Sequence, residues 1–191
     1  MLKRIGLVGV ALALSMVAGC QSPWDVIQSA DPNPLRNEKQ FGLRPVEMKG
    51  LMVDDRTEEN FKATKSPEQI RNWEGDKTAI NELFARGLTE EAGKAGIVVS
   101  PESTNSTNFT IEPTVILVDN GYYRIPAWSA ISRIKMRVII AGPDGKAVDE
   151  IVIQGSEEFE IITAASGTRL RNIAERLGRK CGKYLQKRTA G

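Results

Sequence analysis

The stretch ISRIKMRVIIAGPDGKAVDEIVIQGSEEF, residues 131–159, decides the fold. In an extended chain Ile134, Met136, Val138 and Ile140 face one way, while Arg133, Lys135 and Arg137 face the other. That period-two alternation is the signature of a strand with one buried face. Gly142-Pro143-Asp144-Gly145 supplies turn chemistry, and Val148–Phe159 returns antiparallel. Setting Ala141 opposite Lys146 aligns Ile134 with Ile153, Met136 with Ile151 and Arg137 with Glu150. Apolar and oppositely charged partners then match across the hairpin.

Working outward, Leu43–Val53 reads as a first strand, with Pro45 and Gly50 placing it near a sheet edge. Asp54–Lys65 reads as a loop. Ser66-Pro67-Glu68-Gln69 is a helix start: Ser66 caps, Pro67 suits the first helical position and Gln69 completes a capping box. Trp73, Ile80, Leu83, Phe84, Gly87, Leu88, Ala92 and Ala95 follow at helical spacing until Gly96, and Ile97-Val98-Val99 begins another strand. Strand, helix, strand implies a right-handed parallel crossover. Phe109–Asp119 is a strand in which Pro113 signals a bulge or an edge, and Asn120–Ser129 is an irregular aromatic loop. A final helix over Ser166–Lys187 carries one stripe formed by Leu170, Ile173, Ala174, Leu177, Cys181, Tyr184 and Leu185.

These elements predict an α/β (α+β) domain over residues 41–191. It is a two-layer sandwich with a mixed, mainly antiparallel sheet of about four to five strands, two helices on one face and the order β-α-β-β-β-α. A hydrophobic content of 41% beside 26% charged residues is ordinary for such a domain.

The first residues read differently. Lys3-Arg4 precedes the apolar run Ile5–Ala18, which closes in Val17-Ala18-Gly19-Cys20. A charged start, an apolar core and small residues before a cut describe a secretory signal peptide. The run falls short of the roughly 20 residues that a membrane-spanning helix needs. The cysteine after the small pair resembles the lipobox of bacterial lipoproteins. That resemblance implies a signal peptide over residues 1–19 and an acylated Cys20 as the first mature residue. Membrane attachment would then run through lipid, which holds firmly when two or more chains are present. Gln21 stands where lipoproteins retained at the inner membrane often have Asp, which points to the periplasmic leaflet of the outer membrane. Residues 20–40 include Pro23, Pro32 and Pro34 among polar residues and read as a lipidated flexible tether. The element order of the body is similar to curli-secretion lipoproteins and penicillin-binding-protein activators, a resemblance of architecture that implies envelope work and no particular site residue.

Composition narrows the chemistry. The chain has 26 Lys and Arg, 24 Asp and Glu, and no His, so the commonest general base and zinc ligand is missing. Cys181 lies on the apolar stripe and reads as a small buried side chain. Ser132 and Lys135 match S-x-x-K, but a strand places positions 132 and 135 on opposite faces, whereas that chemistry needs them on one helix face. Asp54-Asp55, Glu58-Glu59 and Glu157-Glu158 with Glu160 lack metal-loop spacing and read as solvated surface. No metal or other cofactor is implied. Two regions suit contact with a partner. Tyr122, Tyr123, Arg124 and Trp128 concentrate interface-type residues in the aromatic loop, with core packing as the competing reading. Arg169, Arg176, Arg179, Lys180, Lys183 and Lys187 surround the stripe of the last helix, with charge complementation of the helix C-terminus as the competing reading. From Gly167 onward, basic residues outnumber acidic ones eight to one.

The expected function is a non-enzymatic accessory or scaffold subunit of cell-envelope assembly, secretion or transport that works by protein contact. A binding module for an envelope ligand such as peptidoglycan, lipopolysaccharide or lipid ranks second, and a carboxylate-dependent hydrolase third. Export argues against nucleic acid. Cys20→Ser is expected to abolish lipid modification and membrane retention; intact-mass measurement and fractionation showing an unchanged protein would overturn the lipobox reading.

Overall fold

A computed structural model of the chain describes residues 22–101, 109–121, 131–158 and 166–190. Its longest ladder joins β7 (Ile131–Ala141) to β8 (Ala147–Glu158) in an antiparallel hairpin. The faces agree with the alternation: Ile134, Met136, Val138 and Ile140 are buried, and Arg133 and Arg137 are exposed. The register differs by two residues. Met136 faces Ile153, Val138 faces Ile151 and Arg137 faces Val152. Ala141 pairs with Ala147 rather than Lys146, and an irregularity between Ile140 and Ala141 adds the second residue. A slip of two leaves every side chain on its own face, so burial alone could not distinguish the two pairings.

Among the described residues the sheet is mixed and contains eight strands, where four or five were expected. β6 (Thr110–Asp119) lies antiparallel beside β7. On its other side run β2 (Gln40–Leu43) and β3 (Met52–Val53), both parallel to it. β4 (Arg56–Thr57) pairs with β3, and β5 (Val98–Pro101) lies parallel to β2 at one edge. The expected first strand is therefore split. Residues 42–53 follow β6 but break at Pro45, where Glu47 makes an isolated bridge to Thr114. Pro113 accepts from Glu47 N through its carbonyl, so the side on which it lacks an N–H faces that break.

Residues 22–40 correct the expectation of a free tether. β1 (Trp24–Ser29) joins the opposite edge of the sheet, antiparallel to β8, with Trp24 opposite Ile153 and Ser29 opposite Asp149. Pro23, Pro32 and Pro34 all fall outside this ladder, where a missing N–H costs nothing. Leu35 is fully buried. The polar composition suggested coil, but the β8 edge supplies the backbone partners that local sequence could not. The resulting order, β1-β2-β3-β4-α1-α2-β5-β6-β7-β8-α3, replaces the predicted one.

The helices are α1 (Glu58–Lys62), α2 (Pro67–Gly93) and α3 (Ser166–Thr189). α2 starts with the expected capping box: Ser66 and Gln69 exchange side-chain and backbone hydrogen bonds. Every residue of the α3 stripe is buried, Cys181 included. Buried positions on β6, β7 and β8 lie opposite one another and face the helices; a Cβ on Gly155 of β8 would meet Ile173 and Leu177. α2 and α3 approach backbone to backbone. A Cβ on Gly178 would overlap the carbonyl oxygen of Phe84 and stand 2.7 Å from Leu88 N, and one on Gly87 would strike the carbonyl of Glu175.

Gly178→Ala is expected to cost about 3 kcal/mol by forcing the helices apart. Gly75→Ala, where nothing lies within 4 Å of the new Cβ, should gain roughly 1 kcal/mol of helix propensity. Chemical denaturation of the two variants checks the contrast.

Candidate functional site

The N-terminal strand is clasped to the body by one buried carboxylate. Asp149, fully buried on β8, uses both oxygens. Oδ2 accepts from Tyr184 Oη at 2.7 Å and Arg188 Nε at 2.7 Å; Oδ1 accepts from Arg188 Nη2 and Ala30 N, each at 3.1 Å. Arg188 also donates to the carbonyl of Ala30, and Asn33 donates to the carbonyl of Arg188. Burial, followed by the hydrogen bond to Asp149, pushes the Tyr184 phenol well above its ordinary value. Trp24 packs edge-on against Tyr184 at 5.4 Å, and the Lys187 ammonium sits 5.8 Å from its ring. The sequence offered no signal for this cluster, since Asp149 and Arg188 are separated by 39 positions.

Beside the clasp, a cleft of about 580 Å³ runs past the first residues of β1. Ser22, Pro23, Trp24 and Asp25 form one wall. Arg133 and Lys135 line it from the sheet face turned away from α3. Arg176 and Lys180 reach around the β8 edge from α3, where they donate to the carbonyls of Ser156 at 2.9 Å and Gln154 at 2.6 Å. Those carbonyls lie beyond the part of β8 covered by β1, so the two cations also close an otherwise open strand edge. Burial, reinforced by Arg176, lowers the Lys180 ammonium from its ordinary value.

The predicted contact residues divide. Arg169 is 2% exposed and points inward, donating to Ser132 Oγ at 2.9 Å and the carbonyl of Asn120 at 3.2 Å. It is a correction to the basic-surface expectation: a buried guanidinium ties α3 to the ends of β6 and β7. Arg179 pairs with Glu175 and, at 3.5 Å, with Glu90 of α2. Arg176 holds Glu157 at 2.8 Å. Lys183 and Lys187 are exposed. The last helix therefore presents no single basic face. Cys20 and the aromatic-loop residues Tyr122, Tyr123, Arg124 and Trp128 lie outside the described residues.

Ser132, Cys181 and Glu58 are held in internal contacts. Ser132 is fully buried and donates to Asn120 O. Burial pushes the Cys181 thiol up to about 12, so the thiolate that reactivity needs is scarce. Burial would raise the Glu58 carboxyl, but hydrogen bonds from Lys77, Trp73 and Lys62 outweigh it and hold the group at about 2. That network fastens α1 to α2, with Phe61 against Trp73 at 5.4 Å.

No family model matches the chain, and neither does any curated protein. Among solved structures it is similar to the PelC dodecamer from Paraburkholderia phytofirmans, with 7% identity over 82% of this chain and 96% of that one and a TM-score of 0.41. It is also similar to protein XCC0632 from Xanthomonas campestris, of the DUF330 family, with 8% identity over 83% and 90% and a TM-score of 0.47.

Asp149→Asn is expected to destabilise the fold by about 3 kcal/mol, because it leaves the Arg188 charge without its counterion. Limited proteolysis should then cut within residues 22–35 while wild type resists; equal resistance would show that the clasp does not hold the strand.

Proposed function

We propose that the chain is a bacterial lipoprotein, held by acyl chains on Cys20 in the periplasmic leaflet of the outer membrane. It serves there as a non-enzymatic accessory or scaffold subunit of envelope assembly, secretion or transport. The observation that carries this reading is Lys3-Arg4, the apolar run and Val17-Ala18-Gly19-Cys20 standing directly before a folded body. No helix among the described residues is long and apolar enough to cross a membrane, so lipid supplies the attachment in this reading. The clasp supports a scaffold role: β1 begins at Trp24, four residues after Cys20, so the body sits close to its anchor rather than at the end of a long leash.

A second reading, a binding module for an envelope ligand, is favoured by the cationic cleft beside β1. A ligand site of a few hundred cubic ångströms with convergent polar groups is the form such a module takes. The hydrolase reading ranks third, because Glu58 and Glu74 share Lys62 and Lys77 as bridging partners and are held as a structural lock.

Crosslinking intact cells and recovering the native protein under denaturing conditions should yield a discrete adduct with an envelope protein, reduced severalfold in the Cys20→Ser form. Adducts no more abundant than those of an unrelated periplasmic protein would overturn the scaffold reading.

A further inference from the structure

We infer that the cleft between β1, the β7–β8 hairpin and α3 is a binding site for the phosphate of an anionic phospholipid headgroup. Four cationic side chains line it, Arg133, Lys135, Arg176 and Lys180, against Asp25 as the only acidic lining residue; Arg176 is already paired with Glu157 at 2.8 Å, so the surplus rests on the other three. They come from two elements on different sides of the sheet, so tertiary structure alone brings them together. Arg133 is 57% exposed, with Asp119 at a distant 3.8 Å. The Lys135 side chain makes no hydrogen bond or ion pair with the described residues, its backbone being held in the ladders to β6 and β8. Lys180 is spent only on a neutral carbonyl. The cleft therefore holds an excess of positive charge, with Lys135 and Lys180 at partly buried positions, where an anion is attracted more strongly than on open surface. A phosphodiester fits this set: its oxygens accept from the Arg133 fork and from point-charge ammonium groups.

The position of the wall selects lipid over a soluble phosphate. This step rests on the lipoprotein reading. Ser22 and Pro23 belong to the cleft, and Cys20 precedes Ser22 by two residues, a reach of about 7 Å at most. Acyl chains on Cys20 would then hold the cleft at headgroup depth. Trp24 on the same wall offers the amphipathic ring that suits a membrane–water boundary. The phosphate would neutralise the cluster while the glycerol and chains point toward the bilayer that holds the anchor. Occupancy would orient the body as well as tether it.

The test uses the intact protein purified in neutral detergent from the cells that make it. It is titrated with dihexanoyl phosphatidylglycerol, dihexanoyl phosphatidylcholine and inorganic phosphate while tryptophan fluorescence is followed, with Trp24→Phe identifying the reporter. Phosphatidylglycerol should give a saturable change that phosphatidylcholine does not. The double variant Lys135→Gln/Lys180→Gln should bind it at least tenfold more weakly at unchanged thermal midpoint, and Lys135→Arg/Lys180→Arg should restore binding. Arg133→Gln, at an exposed position, gives the same direction if the double variant folds poorly. Wild-type affinity in both Gln variants overturns the site. Inorganic phosphate binding as tightly as the lipid overturns the lipid assignment. The mass of the same sample reports separately on Cys20, so an unmodified cysteine removes the anchor reading while the titration still decides the cleft.

Discussion

The contact between α2 and α3 is the constraint on which the remaining structure depends. At Gly87 and Gly178 the two helices meet with no side chain between them. This lets both lie on one face of the sheet and bury Phe84, Leu88, Leu177 and Cys181 in one continuous core. The same approach fixes the rotation of α3. Leu170, Ile173 and Leu185 are turned into the core. Tyr184 and Arg188 are turned toward Asp149, and Arg176 and Lys180 toward the far edge of β8. A helix displaced by the volume of a methyl group would misplace all three sets at once, since packed cores shift discretely rather than bend.

The charge asymmetry of the chain finds its use in that placement. Cations at the end of a helix complement its dipole by a few tenths of a kcal/mol, and exposed pairs such as Arg179 with Glu90 add little. Buried Arg169 and half-buried Arg188 matter more. Each satisfies polar groups that would otherwise be stranded: Ser132 and Asn120 at one end of α3, Asp149 and Ala30 at the other. Together they set where the sheet ends meet the helix. Four further cations, Arg133, Lys135, Arg176 and Lys180, gather at the cleft beside the N-terminal strand.

What could be read from the sequence was whatever one element settles by itself. The capping box at Ser66, the helical stripe from Leu170 to Leu185, the turn at Gly142–Gly145 and the buried face of β7 all rest on spacing within one segment. Cys181 belonged to that stripe and is buried with it. The tripartite N-terminal pattern ending in Cys20 is likewise a local signal, and the proposed anchor is read from it alone.

Tertiary structure decided what no single segment specifies. Residues 24–29 became a strand because the β8 edge offered hydrogen-bond partners, although their composition reads as coil. The hairpin register was set by an extra loop residue and an irregularity beside Ala141, which face alternation cannot detect because its period is two. Arg169 carries a charge like its neighbours and sits on the same helix, yet it is inside because Ser132 and Asn120 wait beneath it. The clasp at Asp149 and the cationic cleft each unite residues more than 30 positions apart. Periodicity reports which face of an element is apolar; only packing determines which polar groups on different elements are brought within reach of one another.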